Sequence, residues 1–194
     1  MYVCFMGGIN KRDHLIQTGQ EQIWSKGYDL CSIKDITTAA GLPKGSFYHY
    51  FESKEKFALE AMNQYIDTQQ EQLASTSHTL STLEALLDAR IASIINIHFA
   101  RECYMSVMCH AFSDQDENFR TSIITAINRS NDTMKSLLAS LKQAKLIREE
   151  LDLDELLEFI DFGWRGARLK ARMLQSGTPL LIFKKYLFQF ILKS

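Results

Sequence analysis

Apolar residues recur along this chain at three- and four-residue intervals, and the intervals predict a succession of helices. From Lys11 to about Lys26, Leu15, Gly19 and Ile23 share one stripe, with Ile16 and Trp24 beside it. Gly27 follows as a helix stop. Ser32 with Asp35 three residues on is a capping-box pattern that opens a second helix. Ile33, Ile36 and Ala40 make its inner stripe, and Gly41 ends it. A short third helix runs from Pro43 or Lys44 to Phe51, with Phe47 and Phe51 four apart. Ser53 caps a fourth, and Glu55 sits in its first turn where the helix dipole favours an anion. Phe57, Ala58, Ala61, Met62, Tyr65 and Ile66 give this helix a wide apolar face, which fades into the polar run Thr68 to Gln72.

The Ser/Thr-rich stretch from Ser75 to Thr82 marks a connection between two units. Helices are then expected over Leu83 to Phe99, about Glu102 to Phe112, about Phe119 to Lys145, and about Leu153 to Gln175. Gly177 should stop the last of these, and Thr178-Pro179 should open a final helix to about Leu192. Leu153, Leu156, Leu157, Ile160, Trp164, Ala167, Ala171 and Leu174 keep helical spacing, and Gly163, Gly166 and Ala167 permit close approach of another helix. The final helix is apolar around most of its circumference and needs cover on two sides. Either these two helices close an intramolecular core, or residues of about 153–175 and 179–192 pair with a second copy.

Composition agrees with an all-α chain: 194 residues, 46% hydrophobic, two prolines and nine glycines. The net charge of -1 excludes a general polyanion binder, so any DNA contact must be local. No apolar run approaches the ~20 residues of a membrane span, and the first six residues lack the basic flank and cleavage site of a secretory signal. A cytoplasmic protein with four reduced cysteines is expected, and no membrane partner. Residues 1–9 are expected to be a disordered leader, or an artefact of start-codon choice with Met6 the true start. There is no Gly-rich phosphate loop, zinc-type cysteine spacing or nucleophile elbow. An enzyme, a cofactor and a metal site are therefore not expected; His98, Cys103, Cys109 and His110 match no common metal spacing.

The second helix, the Gly41-Leu42 turn and the third helix form a helix-turn-helix. The third helix can enter a major groove while Ile23, Leu30, Ile36, Phe47 and Phe51 brace it from behind. Consecutive helical residues point about 100° apart, so Tyr48, His49 and Tyr50 cannot all face the core. Lys44, Ser46 and Tyr48 are placed nearest the bases. Ser32, His49, Tyr50 and Lys54 are placed nearest phosphates, and Gly45 keeps the start of the helix clear. The first 60 residues carry equal numbers of basic and acidic side chains, so hydroxyl donors, helix N-termini and dimerisation must help the lysines.

Residues 10–56 resemble the DNA-binding domain of the TetR family of bacterial repressors. The resemblance rests on Ile33-Lys34-Asp35-Ile36, on Ala40 through Phe51, and on Ser53-Lys54-Glu55. It implies an all-helical fold of about nine helices: an N-terminal three-helix unit and a helical regulatory and dimerisation domain over 57–194. It implies a homodimer formed by the last two helices, a palindromic double-stranded DNA operator, and release of DNA when a small-molecule inducer binds. The alternatives are a helical scaffold protein without DNA binding, or a helical enzyme.

In the larger domain His98, Phe99, Tyr104 and Met108, with Phe119 and Trp164, either line an adaptable ligand pocket or are ordinary core. Cys103 follows Arg101-Glu102 where a helix should begin, a setting that lowers a thiol pKa. Arg101 to Met105 and Gly166 to Arg172 resemble a TetR subgroup that includes the electrophile-sensing repressor of the N-ethylmaleimide reductase operon. The resemblance implies a sensor role for Cys103, against an inert core thiol. Where that subgroup has a partner lysine, this chain has Arg172, with Lys170 nearby.

Overall fold

The computed structural model describes residues 10–74, 77–101, 104–112 and 117–192. Among them are nine α-helices and no strand. They are α1 (Lys11–Lys26), α2 (Ile33–Ala39), α3 (Lys44–Tyr50), α4 (Lys54–Ala74), α5 (Leu80–Asn96), α6 (Tyr104–Phe112), α7 (Glu117–Gln143), α8 (Leu153–Leu174) and α9 (Thr178–Tyr186). The backbone after α9 widens into a π-type winding over Leu187–Leu192. The expected leader at 1–9 and Cys103 lie outside the described residues.

The largest core joins the N-terminal helices to the middle of the chain. Leu15, Ile16 and Ile23 of α1, Ile36 of α2, and Phe47 with the adjoining Phe51 pack with Phe57, Ala58, Ala61, Met62 and Ile66 of α4. Tyr104, Met105 and Met108 of α6 and Ile123 and Ala126 of α7 belong to the same cluster. A second core gathers Leu73, Leu137, Leu138, Leu141, Leu156, Leu157, Leu187 and Leu192. A third, smaller one holds Ile91, Ile94, Phe99, Ala171 and Leu180. Helix α4 contributes to the first two, so it is the shaft between the N-terminal unit and the rest.

Several expectations need correction. Leu30 does not brace α3; it is 81% exposed, and Tyr28 and Cys31 of the same loop are buried instead. Helix α5 ends at Asn96 rather than Phe99, because His98 and Phe99 take left-handed φ of 51° and 54°. Burial of Phe99 against the Ala171 and Leu180 cluster holds that strained turn. Helix α8 is stopped by Gln175 at φ 49°, not by Gly177. Gly177 has an ordinary φ of -72° and caps α9 instead. Its lack of a side chain serves packing, since a Cβ there would lie 2.9 Å from Ile95 Cδ1.

The apolar stripe read on the penultimate helix is largely an internal seam. Leu156, Leu157 and Ala171 are buried within the protomer, and Ile160, Trp164 and Ala167 are half-buried. Gly163 admits the α9 ring of Phe183, which a Cβ would meet at 2.7 Å. A separate stripe, Phe159, Phe162, Leu169 and Met173, faces outward on α8, beside exposed Leu181, Ile182, Tyr186 and Phe190 of the last segment.

Gly19 is a tight crossing behind α2. A Cβ there would collide with Phe57 Cζ and stand 2.8 Å from Phe57 Cε1 and 3.1 Å from Ile36 Cγ2, and both side chains are fully buried. Gly19→Ala is expected to lower the unfolding free energy by about 1–3 kcal/mol, as overpacking does. Urea unfolding measures it, and an unchanged midpoint would contradict this packing.

Candidate nucleic-acid interface

Local rules set the position of α3. The Ser32 hydroxyl accepts from the Asp35 N–H at 3.1 Å, and the Ser32 N–H donates to Asp35 Oδ2 at 2.8 Å, closing the capping box. Lys26 at the end of α1 reaches the same carboxylate at 2.7 Å. Lys26, then the Ser32 hydroxyl and amide, hold the Asp35 carboxyl well below the usual carboxylate range. The chain leaves α2 through Gly41 at φ 67°, a left-handed conformation suited to glycine. The Leu42 N–H donates back to the Thr37 carbonyl at 2.8 Å, which sets the angle between the two helices.

Helix α3 divides as its spacing predicts. Phe47 is fully buried and Phe51 nearly so, and their rings lie 5.3 and 4.9 Å from that of Phe57. On the outer side Lys44, Gly45, Tyr48 and His49 are exposed, Tyr48 by 55%. Among the described residues, nothing beyond its own helix backbone and chain neighbours lies within 4 Å of a Cβ built on Gly45. Ser46 is half-buried, and half-buried Tyr50 packs on the core edge with its ring 4.9 Å from that of His49.

Lys54, in the first turn of α4, is held 4.0 Å above the Tyr28 ring. Burial first, and then Glu55, push the Tyr28 phenol well above its ordinary pKa, so it stays a neutral donor to Glu55. A loop tyrosine thus orients the cation expected at a phosphate. Ser32, expected near a phosphate, is exposed at the N-terminus of α2, where it also caps the helix. Its hydroxyl and amide both serve the cap, and the Asp35 carboxylate stands beside it. Sequence inspection missed Tyr28, Lys26 and Thr37. The buried Thr37 hydroxyl donates to the Ile33 carbonyl of its own helix at 3.0 Å, a local bond that pattern alone does not reveal.

Behind the helix-turn-helix, Trp24, Tyr65 and Tyr104 form an aromatic triangle with centroids 5.4–6.0 Å apart. Arg101 covers Trp24 at 5.3 Å and pairs with Glu21 at 2.7 Å. The six pocket candidates are not gathered at one place. Tyr104, Met108 and Phe119 pack in the first core, Phe99 and Trp164 in the third, and His98 is exposed.

Comparison with known proteins agrees with this geometry. Residues 15–61 match the family described as bacterial regulatory proteins, tetR family, and residues 79–187 match a tetracyclin repressor-like C-terminal domain. The transcriptional repressor DhaR of Mycobacterium sp. (strain GP1) is 28% identical over 184 residues, covering 94% of this chain and 93% of that one. The repressor NemR of Escherichia coli K12 is 37% identical over 54 residues, 28% of this chain and 27% of that one. A TetR regulatory protein from Rhodobacter sphaeroides superposes with a TM-score of 0.81 at 26% identity, over 94% of this chain and 99% of that one.

Ser32→Ala is expected to cost about 1 kcal/mol at neutral pH, the usual loss for an N-cap hydroxyl. A carboxyl with a depressed pKa stabilises the fold above its unfolded pKa of about 3.9 and stops doing so as pH falls through its folded value. The gap between wild type and Ser32→Ala should therefore narrow as pH drops below that range. Chemical unfolding from pH 7 to acid measures it, and a gap independent of pH would contradict the assignment.

Proposed function

The chain belongs to the TetR family of bacterial regulatory proteins, and on that footing we propose that it is a ligand-responsive repressor that binds a palindromic operator as a homodimer. TetR-family repressors bind operator DNA, typically as dimers, and respond to small molecules; they are regulators, not enzymes. The observation that carries the proposal is α3, apolar and buried on one side and exposed on the other with Lys44, Gly45, Tyr48 and His49. Lys44, Ser46 and Tyr48 read base edges in the major groove; His49, Tyr50 and Lys54 set register on phosphates.

The outward stripe of Phe159, Phe162, Leu169 and Met173 on α8 and the exposed Ile182, Tyr186 and Phe190 support dimerisation through the two last helical segments. A protomer that leaves so many large apolar side chains in water on adjacent helices lowers its free energy by covering them with the same surface of a second copy. That two-fold pairing would place two α3 helices for two half-sites. Among the described residues no helix is long and apolar enough to cross a membrane, and the site of action we infer is the cytoplasm. Residues 10–56 act as the DNA-reading unit and 57–194 as the regulatory unit, with α4 running across the boundary.

Binding to the DNA beside the chain's own gene tests the proposal. Wild type should bind one site there far more tightly than unrelated DNA. Tyr48→Ala should lose about 1–3 kcal/mol of that preference. Lys54→Gln should weaken binding to all sequences alike and lower the salt slope by about 1 per subunit. Equal affinity of wild type for every DNA tested would contradict the repressor assignment.

A further inference from the structure

A cleft of about 550 Å3 opens where the α1–α2 loop faces α6 and α8, so the DNA-reading unit and the regulatory unit both wall it. Leu30 of the loop, Val107 of α6, and Gly166 and Leu169 of α8 border it. Leu30 and Leu169 are 81% and 63% exposed, two large apolar side chains that the protomer's own core leaves in water. The cations on its lining are already engaged. The Arg165 Nε–H donates to both Asp161 carboxylate oxygens at 2.9 and 2.8 Å, Lys26 is paired with Asp35, and Arg172 likewise has a partner. What the cleft offers an occupant is therefore chiefly apolar surface.

Two features of α8 name that occupant. The exposed apolar residues are placed almost symmetrically about Gly166: Phe159 and Phe162 precede it by seven and four residues, and Leu169 and Met173 follow it by three and seven. Among the described residues, nothing beyond its own helix backbone and chain neighbours lies within 4 Å of a Cβ built on Gly166, so the middle of the stripe is open to close approach. The charges, in contrast, are split. Asp152, Asp154, Glu155, Glu158 and Asp161 lie before Gly163, and Arg165, Arg168, Lys170 and Arg172 lie after it. Asp161 is paired with Arg165 and Asp154 with Lys135, yet Glu155 and Glu158 on the acidic half and Lys170 on the basic half stand exposed. Two copies of α8 laid parallel would set like charge against like. Laid antiparallel about Gly166, each acidic half meets the other's basic half. The same pairing sets Phe159 against the partner's Met173 and Phe162 against the partner's Leu169.

Leu169 thus belongs both to that pairing and to the cleft it shares with Leu30. At about 100° per residue, Phe162 and Leu169 lie on the side of Gly166 that carries the cleft-lining Arg165 and Arg172. A two-fold axis perpendicular to the paired helices keeps that side common to both copies. Resting on the homodimer proposed above, we propose that the cleft is the socket for a second copy of this chain. The partner's Phe162 lies on Leu169 and reaches Leu30 and Val107, so the dimer face continues from α8 onto the loop of the DNA-reading unit. That loop runs through buried Cys31 into Ser32, the cap of α2. Pairing then fixes the α2–α3 unit of one copy directly to α8 of the other, in addition to the path through its own core.

Sedimentation equilibrium of the full chain without DNA tests this. Leu30→Asn changes a side chain that is 81% exposed in the protomer and lies outside α8 and α9, so helical circular dichroism should match wild type. The dimer dissociation constant should nevertheless rise about tenfold or more, since burying a leucine is worth that much and a two-fold interface does so twice. Leu30→Asp and Phe162→Lys should each weaken the dimer. A chain carrying both should dimerise more tightly than either single variant, because the opposite charges then meet across the interface. A dimeric wild type whose dissociation constant changes by less than about threefold in Leu30→Asn, against the tenfold expected of a covered leucine, overturns the inference and leaves the homodimer standing. Additive losses in the paired variant overturn it too. A wild-type chain that stays monomeric at every concentration removes the homodimer itself, and the socket with it.

Discussion

Everything in this protein depends on one apolar core shared by the helices that hold α3 and the helices that would sense a ligand. Phe47 and Phe51 are packed on Phe57 of α4, and the same cluster continues through Met62 and Ile66 to Tyr104, Met108 and Ile123. Interiors packed at crystal-like density transmit displacements rather than absorb them. The Trp24–Tyr65–Tyr104 triangle and the Arg101 clamp on Trp24 and Glu21 lie where α1, α4 and α6 meet. The Tyr104 hydroxyl is buried there with no hydrogen-bond partner among the described residues, a cost the fold bears at its main joint. A shift of α6 therefore has no soft layer in which to dissipate before it reaches α1.

The weak charge of the DNA-reading unit fits this arrangement. Lys26 is spent on Asp35, and Arg12 pairs with Glu60 while covering Phe51, so several cations serve the scaffold. What remains outward on α3 is one lysine, a tyrosine, a histidine and a glycine that gives room. A single such helix has little electrostatic grip. Two of them at fixed separation would gain by multivalency what each lacks in charge, and in the proposed dimer the outward stripe of α8 would set that separation.

The helix-turn-helix was legible in sequence because its determinants are local. Ser32 with Asp35, Gly41 and the four-residue interval from Phe47 to Phe51 each act within a turn or two of helix. Features that depend on distant partners were not legible. Leu30 looks like core until Tyr28 and Cys31 take the interior positions in its loop. Gly177 looks like a helix stop, but its role is to make room for Ile95, more than 80 residues away. On α8 the regular apolar stripe closes the protomer. Phe159, Phe162, Leu169 and Met173 were hidden because charged residues, among them Glu158, Asp161, Arg165, Lys170 and Arg172, are interleaved with them. Residue type alone suggests the pocket candidates, and only the packing distributes them between two cores and the surface.

The proposed dependence of α3 on a two-fold pair held by α8 and α9 is tested most directly by counting chains on DNA for wild type and for Phe162→Asp, whose parent side chain is 60% exposed in the protomer. Mass photometry of each protein with its operator should show two wild-type chains per site. Phe162→Asp should keep its helical circular dichroism, run as a monomer and lose affinity by about 10²-fold or more. A Phe162→Asp protein that binds with wild-type affinity as a single chain would contradict the account.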